Sequence, residues 1–227
     1  MNNLIIITNE VQKLLSLDDS GHGMDHISRV CRIAQSISEN DENKEIVSAI
    51  ALLHDVDDYK LFGLKSSEEL TNAKIILSKT NFNDEEKNII LDSIKTIGYS
   101  KRLSGVIPTI KEAMSVSDAD MLDAMGVIGI LRSYHYNISH MNPFFDKNDF
   151  PILEMDANMY KSKIKGTVVN HIFEKILRLK ELMLTNKGKE ESLRRYNFVI
   201  SFLNEFFYEE DVPEWQEYLE EYIEMNK

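Results

Sequence analysis

Residues 49–58 read AIALLHDVDD, an apolar run of helix-compatible residues that ends in a histidine followed by an aspartate. Burying His54 and Asp55 at the end of an apolar helix costs free energy unless hydrogen bonds, an ion partner or a metal compensate the two polar groups. Neighbouring residues on a helix differ by about 100° in direction, so both side chains can lean toward one point. This stretch therefore predicts half of a divalent-metal site.

The composition narrows the class of protein. The chain has 227 residues, 43% of them apolar and 28% charged, which is typical of a soluble globular protein with one sizeable core. Only 4 prolines and 9 glycines favour long helices over a turn-rich β-sandwich. The net charge of −12 argues against nonspecific binding to nucleic acid or to an anionic membrane surface.

The single cysteine, Cys31, excludes an internal disulfide and favours a reducing compartment. The apolar runs are too short for a signal peptide or a membrane span. We therefore expect a cytoplasmic protein without a membrane partner, which is a monomer or a homodimer.

Helical periodicity through most of the chain predicts an all-α fold. Asn83 and the acidic residues after it predict a helix start, and the stretch Ser66–Glu69 is interpreted in the same way. A further helix is expected to begin near Asp118. Residues 134–155 are the least regular, and their aromatic side chains predict a packed loop or lid.

Two further segments supply the rest of a metal site. His26 lies in a helical segment upstream, and Asp118 and Asp120 lie downstream. Residues two apart on a helix point in different directions, so one aspartate is expected to bind metal while the other caps the helix or orients a neighbour. Two imidazoles and two carboxylates suit octahedral Mn²⁺, Fe²⁺, Co²⁺, Ni²⁺ or Mg²⁺ better than a closed zinc site. Two positions would remain for water or a phosphate oxygen, as metal-assisted hydrolysis requires.

The order His, His-Asp, Asp on helices resembles the HD-domain phosphohydrolase superfamily. The segments HGMDHISRV, ALLHDVDDYK, SVSDADMLDAMGVIGILRSY and NHIFEKILRLKELMLTNKGKEESLRRYNFVISFLNEF resemble the small bacterial YedJ/YpgQ-like HD hydrolases nearly end to end. The resemblance implies an all-α HD-domain helical bundle with additional C-terminal helices. It places the HD core at about 20–135 and packs helices of about 156–227 onto it, within one domain spanning 1–227.

The resemblance also implies roles for individual residues. The expected metal ligands are His26, His54, Asp55 and Asp120. Two aspartates, Asp118 and Asp123, are expected to contact and orient these ligands without binding the metal themselves. The expected substrate-binding residues are Arg29, Lys60, Arg132, Lys175 and His22. The resemblance supports Arg29, Arg132 and Lys175 among them, and each of the five could instead be an ordinary surface or loop residue.

Asp58 shares a helix face with His54 and Asp55, because it lies four and three residues after them. The matching position in related hydrolases is acidic and positions or deprotonates the attacking water. We therefore expect Asp58 to act as general base beside Asp55 in catalysis. The alternative is that Asp57 and Asp58 simply end the helix in solvent.

One departure from the superfamily limits the chemistry. Dinuclear members, including oxygenases, have extra histidines between the His-Asp pair and the last aspartate, whereas residues 56–119 contain none. One divalent ion, preferably Mn²⁺, is therefore expected. The predicted function is a phosphohydrolase or pyrophosphohydrolase acting on a nucleoside di- or triphosphate. Two alternatives stay open, a phosphodiesterase acting on a cyclic nucleotide and a metal- or nucleotide-binding sensor without turnover.

Overall fold

The computed structural model describes residues 2–15, 23–153 and 166–226, and all regular structure within these ranges is helical. The predicted all-α fold is therefore confirmed. Within the same ranges, no helix has both the length and the apolar character needed to cross a membrane.

The chain divides into two compact units. The first comprises Met1–Asp123 and Leu184–Gly188, and the second comprises Ala124–Met183 and Lys189–Lys227. The expectation of one domain stays a prediction. The helices described in the first unit are α1 (Asn3–Leu14), α2 (Met24–Ile37), α3 (Lys44–Leu53), α4 (Tyr59–Glu69), α5 (Thr71–Ser78), α6 (Asp84–Ile94), α7 (Tyr99–Leu103) and α8 (Lys111–Asp123).

Helix α3 is the centre of the first unit. Every residue from Ile46 to Leu53 is buried, and α3 packs against α1, α2, α6 and α8. A helix that is apolar on all sides must be surrounded by other elements. Helices α2 and α8 also pack against each other, so α2, α3 and α8 form a three-helix core. His54 and Asp55 directly follow the last residue of α3 in this core.

The predicted helix start at Asn83 is confirmed, because its side chain and that of Glu86 form a capping box at the first turn of α6. The predicted start at Ser66–Glu69 is wrong, since these residues lie in the last turns of α4. The next helix begins at Thr71 and is capped from a distance by the buried carboxylate of Asp57. That carboxylate accepts the N–H groups of the two residues after Thr71, each at 2.9 Å.

The predicted helix start near Asp118 is also wrong. Asp118 lies inside α8, which continues to Asp123. The break follows at Met125 and Gly126, where the glycine adopts φ +68°, a conformation that disfavours other residues.

The second unit is organised around aromatic packing. Its helices are α9 (Gly126–Ser139), α10 (Val168–Glu174), a 3₁₀ helix (Ile176–Leu182), α11 (Asn186–Glu209, beginning in the 184–188 segment of the first unit) and α12 (Pro213–Met225). Trp215 is fully buried, its indole N–H donates to the Lys147 carbonyl at 3.0 Å, and its ring packs against Phe145 and Phe150. The predicted packing of the irregular region is thus confirmed for these aromatic residues, although α9 extends into that region to Ser139. Residues 154–165 lie outside the described ranges.

Candidate metal centre

Three helices bring the predicted ligands together. His26 lies in the first turn of α2, His54 caps the C-terminus of α3, and Asp120 lies on α8. From Nε2 of His26, the distance is 3.2 Å to Nε2 of His54, 3.4 Å to Oδ2 of Asp55 and 3.5 Å to Oδ1 of Asp120. These four residues are called the candidate metal centre below.

The backbone and a neighbouring carboxylate orient the two imidazoles. Nδ1 of His54 lies 2.8 Å from the carbonyl of Ala51, one of the α3 carbonyls that have no partner within the helix. Nδ1 of His26 lies 2.8 Å from Oδ2 of Asp123. Because both acceptors require a proton on Nδ1, the neutral rings direct their Nε2 lone pairs at each other.

This arrangement fits a divalent cation. Two facing lone pairs and two nearby carboxylates repel one another unless a positive charge lies between them. With ligand distances of about 2.1 Å, donor atoms lie about 3.0 Å apart at a right angle and about 3.4 Å apart at a tetrahedral angle. Of the distances from Nε2 of His26, those of 3.2 and 3.4 Å lie in this range and that of 3.5 Å lies just above it. His26, His54 and Asp120 also have donor atoms that all lie within 4.8 Å of one another.

The electrostatics at His26 lead to the same conclusion. Burial lowers the pKa of this imidazole, but hydrogen bonds to Asp123 and Asp55 and the charges of Asp55 and Asp120 raise it to about 9. In the absence of a metal, the imidazole of His26 thus carries a proton and a positive charge among the carboxylates of Asp55, Asp120 and Asp123. The site is built for a cation.

Asp123 connects the candidate metal centre to Arg29. Its carboxylate is 1% exposed and accepts hydrogen bonds from Nε and Nη2 of Arg29 at 2.6 and 3.1 Å, in addition to its contact with His26. Asp123 thus contacts a proposed ligand directly, and its supporting role toward the metal stays a prediction. Arg29, expected to bind substrate, instead directs two N–H groups at Asp123. Its role toward substrate stays a prediction.

Asp118 points away from the imidazoles. Its carboxylate is fully buried and accepts the N–H groups of Leu184 and Thr185, at 2.9 and 2.8 Å, and the Thr185 hydroxyl at 2.8 Å. It holds the segment that leads into α11, so it does not orient a ligand. Gly188 lies against this carboxylate, since a Cβ added there would come within 2.3 Å of Oδ2.

The two aspartates therefore make a matched pair for mutation. Asp118→Asn is expected to lower the free energy of unfolding by about 1–3 kcal/mol, because an amide cannot accept all three hydrogen bonds. Asp120→Asn is expected to weaken Mn²⁺ binding by at least about tenfold, because it removes a charged donor. Urea unfolding and Mn²⁺ titration calorimetry measure the two quantities. If Asp118→Asn lost Mn²⁺ binding and Asp120→Asn kept it, Asp118 rather than Asp120 would be the metal ligand.

Asp58 and Lys60 lie at the start of α4. One carboxylate oxygen of Asp58 accepts the N–H of Lys60 at 2.9 Å and caps the helix. The Lys60 side chain is exposed, with its ammonium 6.0 Å from the centre of the Tyr59 ring. The expected helix face shared by Asp58, His54 and Asp55 is wrong, because α3 ends at Leu53 and Asp58 is the N-cap of α4. Both Asp57 and Asp58 cap helices, which the interpretation as a simple solvent-exposed end did not anticipate.

The roles of the remaining predicted substrate-binding residues stay predictions. Arg132 on α9 and Lys175, directly after α10, belong to the second unit. His22 lies outside the described residues. Sequence reasoning missed Lys101 on α7, whose ammonium is influenced by the charges of Asp55 and Asp58. No pattern singled it out, because residues 98–108 looked irregular.

Comparison with known proteins finds relatives over most of the chain. A family model described as HD domain matches residues 23–125. Bacillus subtilis YpgQ, named as an uncharacterized protein, is 28% identical over 209 residues, which cover 89% of this chain and 90% of YpgQ.

Several solved structures have a similar fold. A Lactobacillus plantarum protein is 30% identical with a TM-score of 0.77, over 91% of this chain and 95% of that chain. An HD-superfamily hydrolase from Bacillus thuringiensis is 29% identical with a TM-score of 0.71, over 92% and 97%. The structure of Bacillus subtilis YpgQ in complex with ADP has a TM-score of 0.67, over 92% and 99%, and its 24% identity there supports a common fold.

Proposed function

The chain belongs to the HD-domain superfamily, and from this premise we propose that it is a metal-dependent phosphohydrolase or pyrophosphohydrolase acting on a nucleotide. Its similarity to an HD-superfamily hydrolase supports a hydrolase in general. The observation that carries the finer proposal is the convergence of two oriented imidazoles and two carboxylates within 3.2 to 3.5 Å of Nε2 of His26. The ADP complex of YpgQ supports a nucleoside phosphate as the ligand class.

The protein would contribute a preformed set of donors. His26, His54, Asp55 and Asp120 would hold one divalent ion. Mn²⁺ is the proposed ion, and Mg²⁺, Co²⁺, Ni²⁺ or Fe²⁺ are the alternatives, since each of these ions accepts imidazole and carboxylate donors in octahedral geometry. Such an ion supplies a more acidic water and neutralises charge on the phosphate. Because the imidazoles are oriented before an ion arrives, little reorganisation is needed on binding.

Asp58 is the proposed general base. Its Oδ1 accepts the Lys60 N–H, so the second carboxylate oxygen can receive a proton. In the proposed step, water oxygen attacks phosphorus, its proton passes to Asp58, and the bond from phosphorus to the leaving oxygen breaks. The single cysteine, Cys31, supports a cytoplasmic location.

The proposal is tested with purified protein, Mn²⁺ and a panel of nucleoside di- and triphosphates and cyclic nucleotides. We expect phosphate or pyrophosphate release from the linear nucleotides, its loss with a chelator and its return when Mn²⁺ is restored. Calorimetric titration with Mn²⁺ alone gives a readout independent of turnover. Cleavage of cyclic substrates alone would favour a phosphodiesterase. Metal binding without any hydrolysis would refute the enzyme and favour a sensor.

A further inference from the structure

A lysine that is not among the predicted substrate-binding residues lies within electrostatic range of Asp55, one of the proposed metal ligands, and of Asp58, the proposed base. Lys101, on the short helix α7, is partly buried. The negative charges of Asp55 and Asp58 act on its ammonium group and partly offset the burial that lowers its pKa. Its position thus brings a positive charge near both a proposed ligand and the proposed base.

The backbone holds this ammonium in place. Nζ donates a hydrogen bond to the carbonyl of Ile94 at 3.0 Å. Ile94 is the last residue of α6, where carbonyls have no partner within the helix. Helix α6 packs against α3 and α8, which carry the metal-centre residues. The hydrogen bond therefore anchors Lys101 to the core of the first unit rather than to its surface.

The turn before α7 also restricts this lysine. Gly98 adopts φ +122° and ψ 144°, a backbone conformation that residues with a side chain rarely adopt. Its carbonyl accepts the backbone N–H of Lys101 at 3.1 Å. The position of Lys101 thus follows from a defined turn.

One hydrogen bond uses one of the three N–H groups of the ammonium. Within the described part of the chain, the carbonyl of Ile94 is the only hydrogen-bond acceptor of this side chain. The other two N–H groups of this partly buried ammonium are available to solvent or to a ligand. An anion that approaches Asp55 and Asp58 together with a cation would be such a ligand.

The charge of the centre also requires such a group. Asp55 and Asp120 together carry two negative charges, which balance one divalent ion. A phosphate group would therefore meet no net positive charge from the metal and its ligands alone, and Asp58 would repel it. Of the nearby basic groups, Arg29 is bound to Asp123 and Lys60 is exposed.

We propose that Lys101 is a binding residue for a phosphoryl group, donating its free N–H groups to an oxygen of a phosphate or diphosphate held at the candidate metal centre. This inference rests on the proposed function, because it takes a phosphorylated substrate as the ligand.

The test compares Lys101→Met and Lys101→Gln with Lys101→Arg, which keeps the charge. The probe is methylenediphosphonate, a diphosphate analogue whose P–C–P bridge cannot be hydrolysed, titrated into Mn²⁺-loaded protein. We expect its Kd to rise about tenfold or more in the two neutral variants, with partial recovery in Lys101→Arg. The Mn²⁺ affinity of the neutral variants should be unchanged or slightly tighter, because a nearby positive charge has been removed.

Lys95→Met is the matched control, since Lys95 is an exposed lysine paired with Asp92 and its loss should leave both affinities unchanged. Urea unfolding shows which variants are folded, and any folded neutral variant suffices. Equal diphosphonate affinity in a folded neutral variant and in wild type would overturn the inference. If wild type hydrolyses no nucleotide but binds the probe through Lys101, the phosphohydrolase proposal fails and this inference stands. If wild type hydrolyses nucleotides and the neutral variants keep its KM and probe affinity, the phosphohydrolase proposal stands and the inference about Lys101 fails.

Discussion

Asp55→Ala is expected to abolish Mn²⁺-dependent hydrolysis of nucleotides. Oδ2 of Asp55 lies 3.4 and 3.5 Å from Nε2 of His26 and His54. Removing this carboxylate deletes one of two proposed charged ligands and leaves the facing imidazole lone pairs less compensated. A metal ion supplies several kcal/mol of charge stabilisation in such reactions, so we expect a rate loss of about 10³-fold or more.

Two measurements check this prediction. Phosphate and pyrophosphate release is followed with wild type and variant at equal Mn²⁺ concentration, and bound metal is counted after gel filtration. Asp92→Ala is the control, since it removes an exposed carboxylate that pairs only with Lys95 in the described part of the chain. A folded Asp55→Ala protein that hydrolyses nucleotides at the wild-type rate would remove Asp55 from the proposed site.

The second large effect is expected for Asp123→Asn. This change would leave Arg29 without a carboxylate partner and would weaken the contact that orients His26. Loss of a residue that orients a ligand typically weakens metal binding by about 10- to 100-fold. Breaking a buried ion pair costs about 3–5 kcal/mol, and we expect the lower end because Arg29 is 25% exposed.

Mn²⁺ titration calorimetry and urea unfolding without metal separate the two effects. Arg29→Gln is the companion variant, because it removes the same ion pair but leaves the Asp123 carboxylate on His26. We expect Arg29→Gln to destabilise the protein while changing Mn²⁺ affinity less than Asp123→Asn does. If Asp123→Asn binds Mn²⁺ as tightly as wild type, the orienting role of Asp123 is wrong.

Local features of the sequence were enough to predict the core of the first unit. The apolar run around Ala49 is continuous on all sides of a helix, and a helix of that kind is stable only when buried. Histidine and aspartate at its end then require compensation. Both arguments use only neighbouring residues, and the structure agrees with them.

Local sequence features could not decide whether Asp118 or Asp120 binds the metal. The two residues are of the same type and lie two positions apart. Asp118 turns to Leu184 and Thr185, which are 66 and 67 residues away in sequence. A contact over that separation leaves no local pattern, so the resemblance to a family was needed to prefer Asp120.

Helix capping caused a related difficulty. Asp57 caps a helix that begins 14 residues later in the chain, at Thr71, while Asp58 caps the helix directly after it. Adjacent aspartates give the same local signal in both cases. Only the path of the chain between the helices separates them, and the expected catalytic role of Asp58 remains to be tested.

The sequence by itself determined the all-α fold, the buried helix α3 and the residue types of a cation site, because periodicity and apolar character are properties of short segments. The tertiary structure decided which carboxylates face His26, that Asp123 binds Arg29, and that the charges of Asp55 and Asp58 act on Lys101. Those outcomes depend on contacts between residues far apart in sequence. Their energies arise from burial and charge, which exist only once the helices have packed.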